Sequence, residues 1–308
     1  MEHIPVLLQE CINGLNIKPG GIYIDGTLGR GGHAAEIAKK LTDGRLIAID
    51  RDKEALIESE SLLSEYKSSI TLIHGNFGDI KNILEKEDIN KADGMLFDLG
   101  VSSPQLDDVN RGFSYKNDAV LDMRMDPNEP LTAFEAVNTW QEEKLRKTFY
   151  EYGEERYSKP IARAIINKRA KAPIDTTFKL NDVIKSAIPA AARREPGHPS
   201  KRCFQALRIA VNGELGSISS MLDIAPSLLK PEGRLCVISF HSLEDRLVKR
   251  AFTAGAKGCI CSKEMPVCVC GNKPVLRLIT SKPVTAGTDE IRRNPRAKSA
   301  KLRIAERI

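Results

Sequence analysis

The chain has 308 residues, 41% of them hydrophobic and 29% charged, with a mean hydropathy of −0.29 and a net charge of +6. That length suggests one or two domains, and the composition excludes an intrinsically disordered polypeptide. No apolar run approaches the roughly 18 residues that span a bilayer, and Met1-Glu2-His3 opens no signal peptide, so a cytoplasmic protein is expected.

In chain order, the first hundred residues alternate between strand and helix patterns. Gly21-Ile22-Tyr23-Ile24-Asp25 reads as a short apolar strand ending in an acid. A glycine-rich turn, Gly26 to Gly32, follows, and then a helical face of Ala34, Ile37, Ala38 and Leu41. Arg45 to Asp50 is a second strand closing on an acid, with a helix from about Lys53 to Tyr66. Ile70–His74 reads as a third strand, Ile80–Lys86 as a short helix, and Gly94 to Asp98 as a fourth strand, again ending in Asp. This alternation predicts an α/β fold with a doubly wound, mostly parallel sheet, whose ligands sit beyond the carboxyl ends of the strands.

From about 131 to 195 the signals are helical. Thr132-x-x-Glu135 and Thr139-x-x-Glu142 both have capping-box spacing. Leu207, Val211, Leu215, Ile218 and Leu222 read as one long helical stripe. Lys230 to Gly233 is then a turn, and Leu235 to Phe240 a buried strand. The expected organisation is a discontinuous α/β domain, residues 1–110 and 205–308, interrupted by an all-helical insertion at 111–204.

Charge is distributed unevenly along this plan. Residues 1–110 carry a net −8, whereas 156–202 carry 12 basic and 3 acidic side chains, and 277–308 a net +6. An acidic body beside two basic blocks suits a small-molecule site flanked by surfaces that neutralise phosphates, although solvated helix faces have the same pattern. The seven cysteines, without a secretory signal, argue against disulfides. Cys11, Cys203 and Cys236 read as small core residues. Cys259, Cys261, Cys268 and Cys270 could hold zinc, but C-x-C departs from the usual C-x₂₋₄-C spacing. The expectation is a loop of reduced thiols with no metal.

The turn Gly26–Gly32 lets backbone approach a ligand closely, but its glycines at 26, 29, 31 and 32 do not make G-x-G-x-x-G. Asp50, ending the next strand, is placed to accept hydrogen bonds from ribose hydroxyls. Its bland alternative is an exposed turn aspartate. Together the two features favour an adenosine-containing cofactor, and the lack of G-x-x-x-x-G-K-[ST] excludes a P-loop triphosphatase. Asn76-Phe77-Gly78-Asp79 follows the third strand, where Phe77 could stack on adenine or serve as an ordinary core aromatic. Asp98 to Gln105 follows the fourth strand, as a chemical loop or a helix cap.

At this point the residues resemble a known family. The blocks His3-x-Pro5-Val6-Leu7-Leu8, Asp25 to His33, Ala48 to Asp52, Asp98 to Asp107, Arg111 to Ser114 and Leu121 to Asp126 are similar to the bacterial 16S rRNA cytidine N4-methyltransferases, the RsmH/MraW family. So are Lys201 to Asn212, Ile238 to Arg246 and Asn294 to Arg303. The resemblance runs nearly end to end. It implies a class I, Rossmann-like methyltransferase that uses S-adenosylmethionine, with the helical insertion helping to hold RNA. It assigns the methionine end of the cofactor to Gly31, Gly32 and His33, the ribose to Asp50, the adenine to Phe77 and Asp98, and a further contact to Gln105.

The implied reaction methylates the exocyclic N4 of a cytidine in the decoding region of 16S rRNA within the 30S subunit. That amine is a poor nucleophile, so the site must accept its hydrogens and align it with the methyl group. N4-amino methyltransferases often carry [N/D/S]-P-P-[Y/F/W] after the fourth strand; this chain has Asp98-Leu99-Gly100-Val101. Asp98 is the positional candidate for the N4 acceptor. Ser102, Ser103 or a backbone carbonyl are alternatives, with His241 and Asp245 arriving from the later strand. Phe113, Tyr115 and Phe240 are candidate walls for a flipped base. Lys168, Arg169, Lys171, Arg193, Arg194, Lys201, Arg202 and the tail from Arg292 to Arg303 are candidate phosphate contacts. A homodimer is compatible with the sequence, which does not give the oligomeric state. Three rival readings share features with the chain. They are a DNA methyltransferase, a dinucleotide-dependent oxidoreductase and a zinc-stabilised RNA-binding protein.

Overall fold

A computed structural model describes residues 5–195, 197–259, 261, 267 and 269–308. The chain divides into two compact units, 1–100 with 215–308, and 101–214. The helical unit thus begins ten residues before and ends ten residues after the bounds expected from sequence.

The first unit is an α/β sandwich. Its elements are α1 (Leu8–Leu15), β1 (Ile22–Asp25), α2 (Gly32–Ala38), β2 (Arg45–Asp50), α3 (Lys53–Leu62), β3 (Ile70–His74), α4 (Ile80–Lys86) and β4 (Ala92–Asp98). The helical unit holds α5 (Ser103–Asp107), α6 (Ala133–Thr139), α7 (Glu142–Glu151), α8 (Ser158–Arg169), α9 (Thr177–Ala187), α10 (Ala190–Arg193) and α11 (Lys201–Asn212). The chain then completes the first unit with α12 (Glu214–Leu228), β5 (Leu229–Ser239), α13 (Ser242–Gly255), β6 (Leu276–Leu278), α14 (Thr288–Arg293) and β7 (Lys301–Arg307).

The seven strands lie in the order β3-β2-β1-β4-β5-β7-β6. The first five are parallel, and β7 runs antiparallel to both β5 and β6. Strand alternation divides the core between two faces. Ile24, Ile47, Ile49, Met95, Phe97 and Val237 pack with Ile80 and Leu84 of α4, Met221 of α12 and Phe252 of α13. Tyr23, Leu46, Ala48, Leu96, Cys236 and Ile238 face the other way, onto Cys11 and Leu15 of α1 and Ile37 of α2. Burial on both faces explains why these strands read as near-continuous apolar runs. Sequential strands leave β1 in opposite directions, to β2 and to β4, which makes the β1–β4 boundary the topological switch point.

Three local expectations are corrected. The stripe from Leu207 to Leu222 is two helices, because Gly213 takes a left-handed conformation (φ 60°) and ends α11 with its N–H on the Ile209 carbonyl. Thr139 does not cap α7; it closes α6, its hydroxyl donating to the Glu135 carbonyl at 2.6 Å, while Thr132 and Glu135 do form a capping box. Lys230 to Gly233 is a bulge within β5, where the pairing to β4 jumps from Ala92–Leu229 to Gly94–Arg234. Among the described residues, no helix is long and apolar enough to cross a membrane.

Candidate active site at the carboxyl edge of the sheet

The carboxyl ends of β1, β2 and β4 deliver Asp25, Asp50 and Asp98. The glycine turn is tied across them by its own backbone. Gly26 N–H donates to the Leu96 carbonyl (2.9 Å), Leu28 N–H to the Ile49 carbonyl (2.9 Å) and Gly29 N–H to Asp50 Oδ2 (2.8 Å). Two glycines are required by geometry. A Cβ on Gly26 would lie 2.2 Å from the Phe97 ring, and Gly31, the residue before α2, has φ 78°.

Asp50 Oδ1 also accepts Asp52 N–H at 2.9 Å. A carboxylate has about four acceptor positions, so capacity remains for an incoming hydroxyl. Asp25 Oδ1 accepts Thr27 N–H at 3.1 Å, and the Thr27 hydroxyl oxygen accepts Asp98 N–H at 2.6 Å. Asp25 Oδ2 and Asp98 Oδ1 are buried without a hydrogen-bond donor among the described residues. A buried acceptor without a partner is costly, and such exceptions concentrate at ligand sites.

These acids are electrostatically coupled. Burial raises Asp25 to about 7, helped by the charge of Asp50 and opposed by the Thr27 N–H. Burial, then the neighbouring Asp25 and Glu244, raises Asp98 to about 8. Burial also raises Asp50, against the N–H groups of Asp52 and Gly29. A positive charge placed beside these acids would favour their ionised forms and lower them again.

His33 is buried at the start of α2, with Nε2 3.0 Å from the Val6 carbonyl and Nδ1 4.0 Å from Asp98 Oδ2. A carbonyl can only accept, so Nε2 carries the proton and the Nδ1 of a neutral ring presents a lone pair toward Asp98. Phe77 is half-buried and meets Phe97 edge-on, centroids 5.7 Å apart and planes at 66°. It is therefore anchored in the core, as its bland alternative supposed, while remaining partly accessible.

The later strand contributes a glutamate that the sequence reading passed over. Glu244 is fully buried in the first turn of α13, with Oε2 accepting the N–H groups of Phe240 (2.8 Å) and His241 (3.2 Å). His241 precedes α13, its Nδ1 accepting the Glu244 N–H at 3.5 Å and its Nε2 lying 3.1 Å from Glu244 Oε1. The signal for Glu244 was present, because His241-x-x-Glu244 has capping-box spacing. Asp245 is held by Arg303 Nε (2.7 Å) and Lys301 Nζ (3.2 Å) of β7, which keep its carboxyl below the usual range. Two of the tail's cations are thereby paired with Asp245; Arg303 is buried and so is not the open phosphate contact expected from sequence, whereas Lys301 stays partly exposed.

In the helical unit, Ser102 caps α5: its hydroxyl accepts the Gln105 N–H (3.4 Å) while Gln105 Oε1 accepts the Ser102 N–H (3.0 Å). Ser103 is the first residue of that helix. Phe113 lies in this unit's core. Tyr115 stacks on His198 with centroids 4.4 Å apart. Lys168, Lys171, Arg193, Arg194, Lys201 and Arg202 are exposed, whereas Arg169 is half-buried and donates to the Val137 carbonyl (2.7 Å).

The distal thiols come together in the structure. Cys259, Cys261 and Cys270 place their sulfur atoms within 4.8 Å of one another, a group that could hold a metal ion. Cys268 and His3 lie outside the described residues.

Comparison with known proteins gives the family of the chain. A protein of Brevibacillus brevis named ribosomal RNA small subunit methyltransferase H is 52% identical over 308 residues, covering 100% of this chain and 98% of the relative. One of the same name from Halothermothrix orenii is 53% identical over 309 residues, covering 100% and 99%. Among solved structures, an rRNA methylase from Streptococcus thermophilus superposes with a TM-score of 0.43 at 12% identity, over 100% of this chain and 99% of that one. The model of the MraW methylase family matches residues 1–308, and with relatives of half identity along the full length, the chain belongs to the MraW methylase family.

Proposed function

We propose that the chain transfers a methyl group from S-adenosylmethionine to the exocyclic N4 of a cytidine in the decoding region of 16S rRNA, in the cytoplasm, with the 30S subunit or its RNA as substrate. The observation that carries this reading is the acid cluster at the switch point, with its donor-less oxygens on Asp25 and Asp98 and the glycine turn bound to Asp50. These residues fit the cofactor. Asp50 takes a ribose hydroxyl, Phe77 and Asp98 border the adenine, and Gly31, Gly32 and His33 receive the methionine end. Gln105 supplies a further contact. S-adenosylmethionine supplies an electrophilic methyl on a positively charged sulfur, and the raised acids receive that positive charge.

For the transfer itself, the protein must hold N4 in line and accept one of its hydrogens. Asp98 Oδ1 is the acceptor in this reading, since it lacks a donor of its own; Ser103 is the alternative. Ser102, His241 and Asp245 act through the helix ends they cap or anchor. The positive charge of the exposed insertion cations neutralises RNA phosphates.

Thermal stabilisation by S-adenosylmethionine and by NAD, compared on one sample, tests the cofactor assignment. Stabilisation by S-adenosylmethionine alone is expected; stabilisation by NAD alone overturns it. Transfer of labelled methyl to 30S subunits and to free 16S RNA then identifies the substrate state.

A further inference from the structure

We propose that Cys259, Cys261 and Cys270 form a structural zinc site that closes the loop between α13 and β6. The sulfur atoms of the three all lie within 4.8 Å of one another. Cys259 Sγ and Cys270 Sγ are 3.8 Å apart. A disulfide needs about 2.05 Å. Tetrahedral zinc with Zn–S near 2.3 Å sets its sulfurs roughly 3.8 Å apart. The observed spacing, an S–H···S contact from Cys270 to Cys259, is too long for a bonded pair and matches the separation that two thiolates on one zinc would take.

The loop's neck holds these sulfurs together without help from the metal. Val275 N–H donates to the Gly255 carbonyl at 2.8 Å. One step further out, the Asn272 side-chain amide donates to the carbonyls of Lys257 (3.0 Å) and Gly258. Next comes the Cys259–Cys270 approach, with Asn272 N–H donating to Cys270 Sγ at 3.4 Å. Such an N–H···S bond stabilises a thiolate and orients it, as partners around metal ligands do. The C-x-C spacing places Cys261 on the same side of the neck as Cys259, with Cys270 opposite, so the ion would bridge the two sides.

The donor set selects the metal. The group consists of sulfur alone, which disfavours calcium and magnesium and favours zinc over hard cations. Cys268, the remaining cysteine of the motif, is outside the described residues and is not counted among the ligands. Binding releases the thiol protons, so affinity rises with pH. The site takes no part in methyl transfer; it fastens the loop leaving α13, the helix that carries Glu244 and Asp245.

The test is metal analysis of the full chain purified under reducing conditions without chelator. About one zinc per chain is expected, and cobalt added to the stripped wild-type protein should give a sulfur-to-metal charge-transfer band. Losing an outer partner of a metal ligand costs ~10–100-fold in affinity, so Cys261→Ser should weaken zinc by more than ~100-fold in competition with a chromogenic chelator. S-adenosylmethionine binding by the same variant checks that it is folded. A wild-type protein that holds no zinc and gives no cobalt band overturns the proposal. So does a Cys259–Cys270 disulfide in a non-reducing peptide map, or iron or copper in place of zinc.

Discussion

Asp25, Asp50 and Asp98 end neighbouring strands, and the behaviour of the site follows from placing three acids where water is scarce. Asp25 at about 7 and Asp98 at about 8 both titrate above the ~3.9 of an unfolded aspartate. Because the folded values are the higher ones, the stability they confer is complete below about pH 4 and is lost as pH rises through 7 and 8. A bound cation opposes that loss. Stabilisation by S-adenosylmethionine should therefore grow between about pH 6 and 8.5, more steeply than that by S-adenosylhomocysteine, which lacks the sulfonium charge. Asp98→Asn should flatten the difference; parallel melting-temperature profiles for the two ligands would remove the argument. Asp50 offers a second test at this scale. Hydrogen bonds to charged groups contribute about 1.5–3 kcal/mol, so Asp50→Ala should raise the cofactor Kd by about 10–150-fold in calorimetry. An unchanged Kd would contradict its ribose role.

At the scale of elements, the alternation of strand and helix was legible through β4 because β1, β2 and β4 are apolar, largely buried and end in an acid, and β3 keeps an apolar run at the same spacing. What was not legible depended on partners distant in sequence. β7 reads as a mixed charged segment, Lys301 to Arg307, yet five of its seven residues are buried. Its charges are matched far away: Arg303 by Asp245, and Glu306 by Arg234 at 2.8 Å and by Arg277. No local pattern announces such pairs. The break between α11 and α12 hid for a different reason, since one glycine interrupts a stripe whose hydrophobic period continues across it. Left-handed backbone costs a residue with a Cβ roughly 1–2 kcal/mol. Gly213→Val should accordingly lower the melting temperature by roughly 2–8 °C, followed by circular dichroism. A variant as stable as the parent would show that this turn is not constrained as described. Within the site, the glycine turn and Asp50 were legible as strand-end chemistry. Glu244 was not, because its significance lies in being fully enclosed, a property of packing and not of spacing.

At the scale of the molecule, the net charge of +6 conceals an acidic cofactor-binding part and a basic stretch at 156–202. The exposed cations of that stretch define the RNA-facing prediction. Each phosphate contact contributes about 0.7–0.9 to the slope of log affinity against log salt. Lys168→Glu with Lys171→Glu should weaken RNA binding and reduce that slope by about 1.5, with cofactor affinity unchanged. An unaltered slope would move the RNA surface elsewhere. The central claim, however, concerns the atom that is methylated. Its most direct test is mass spectrometry of nucleosides from 30S subunits incubated with the protein and methyl-labelled S-adenosylmethionine. The expected result is label in N4-methylcytidine from 16S rRNA, reduced by Asp50→Ala when S-adenosylmethionine is limiting; label in a different nucleoside, or none, would contradict the account.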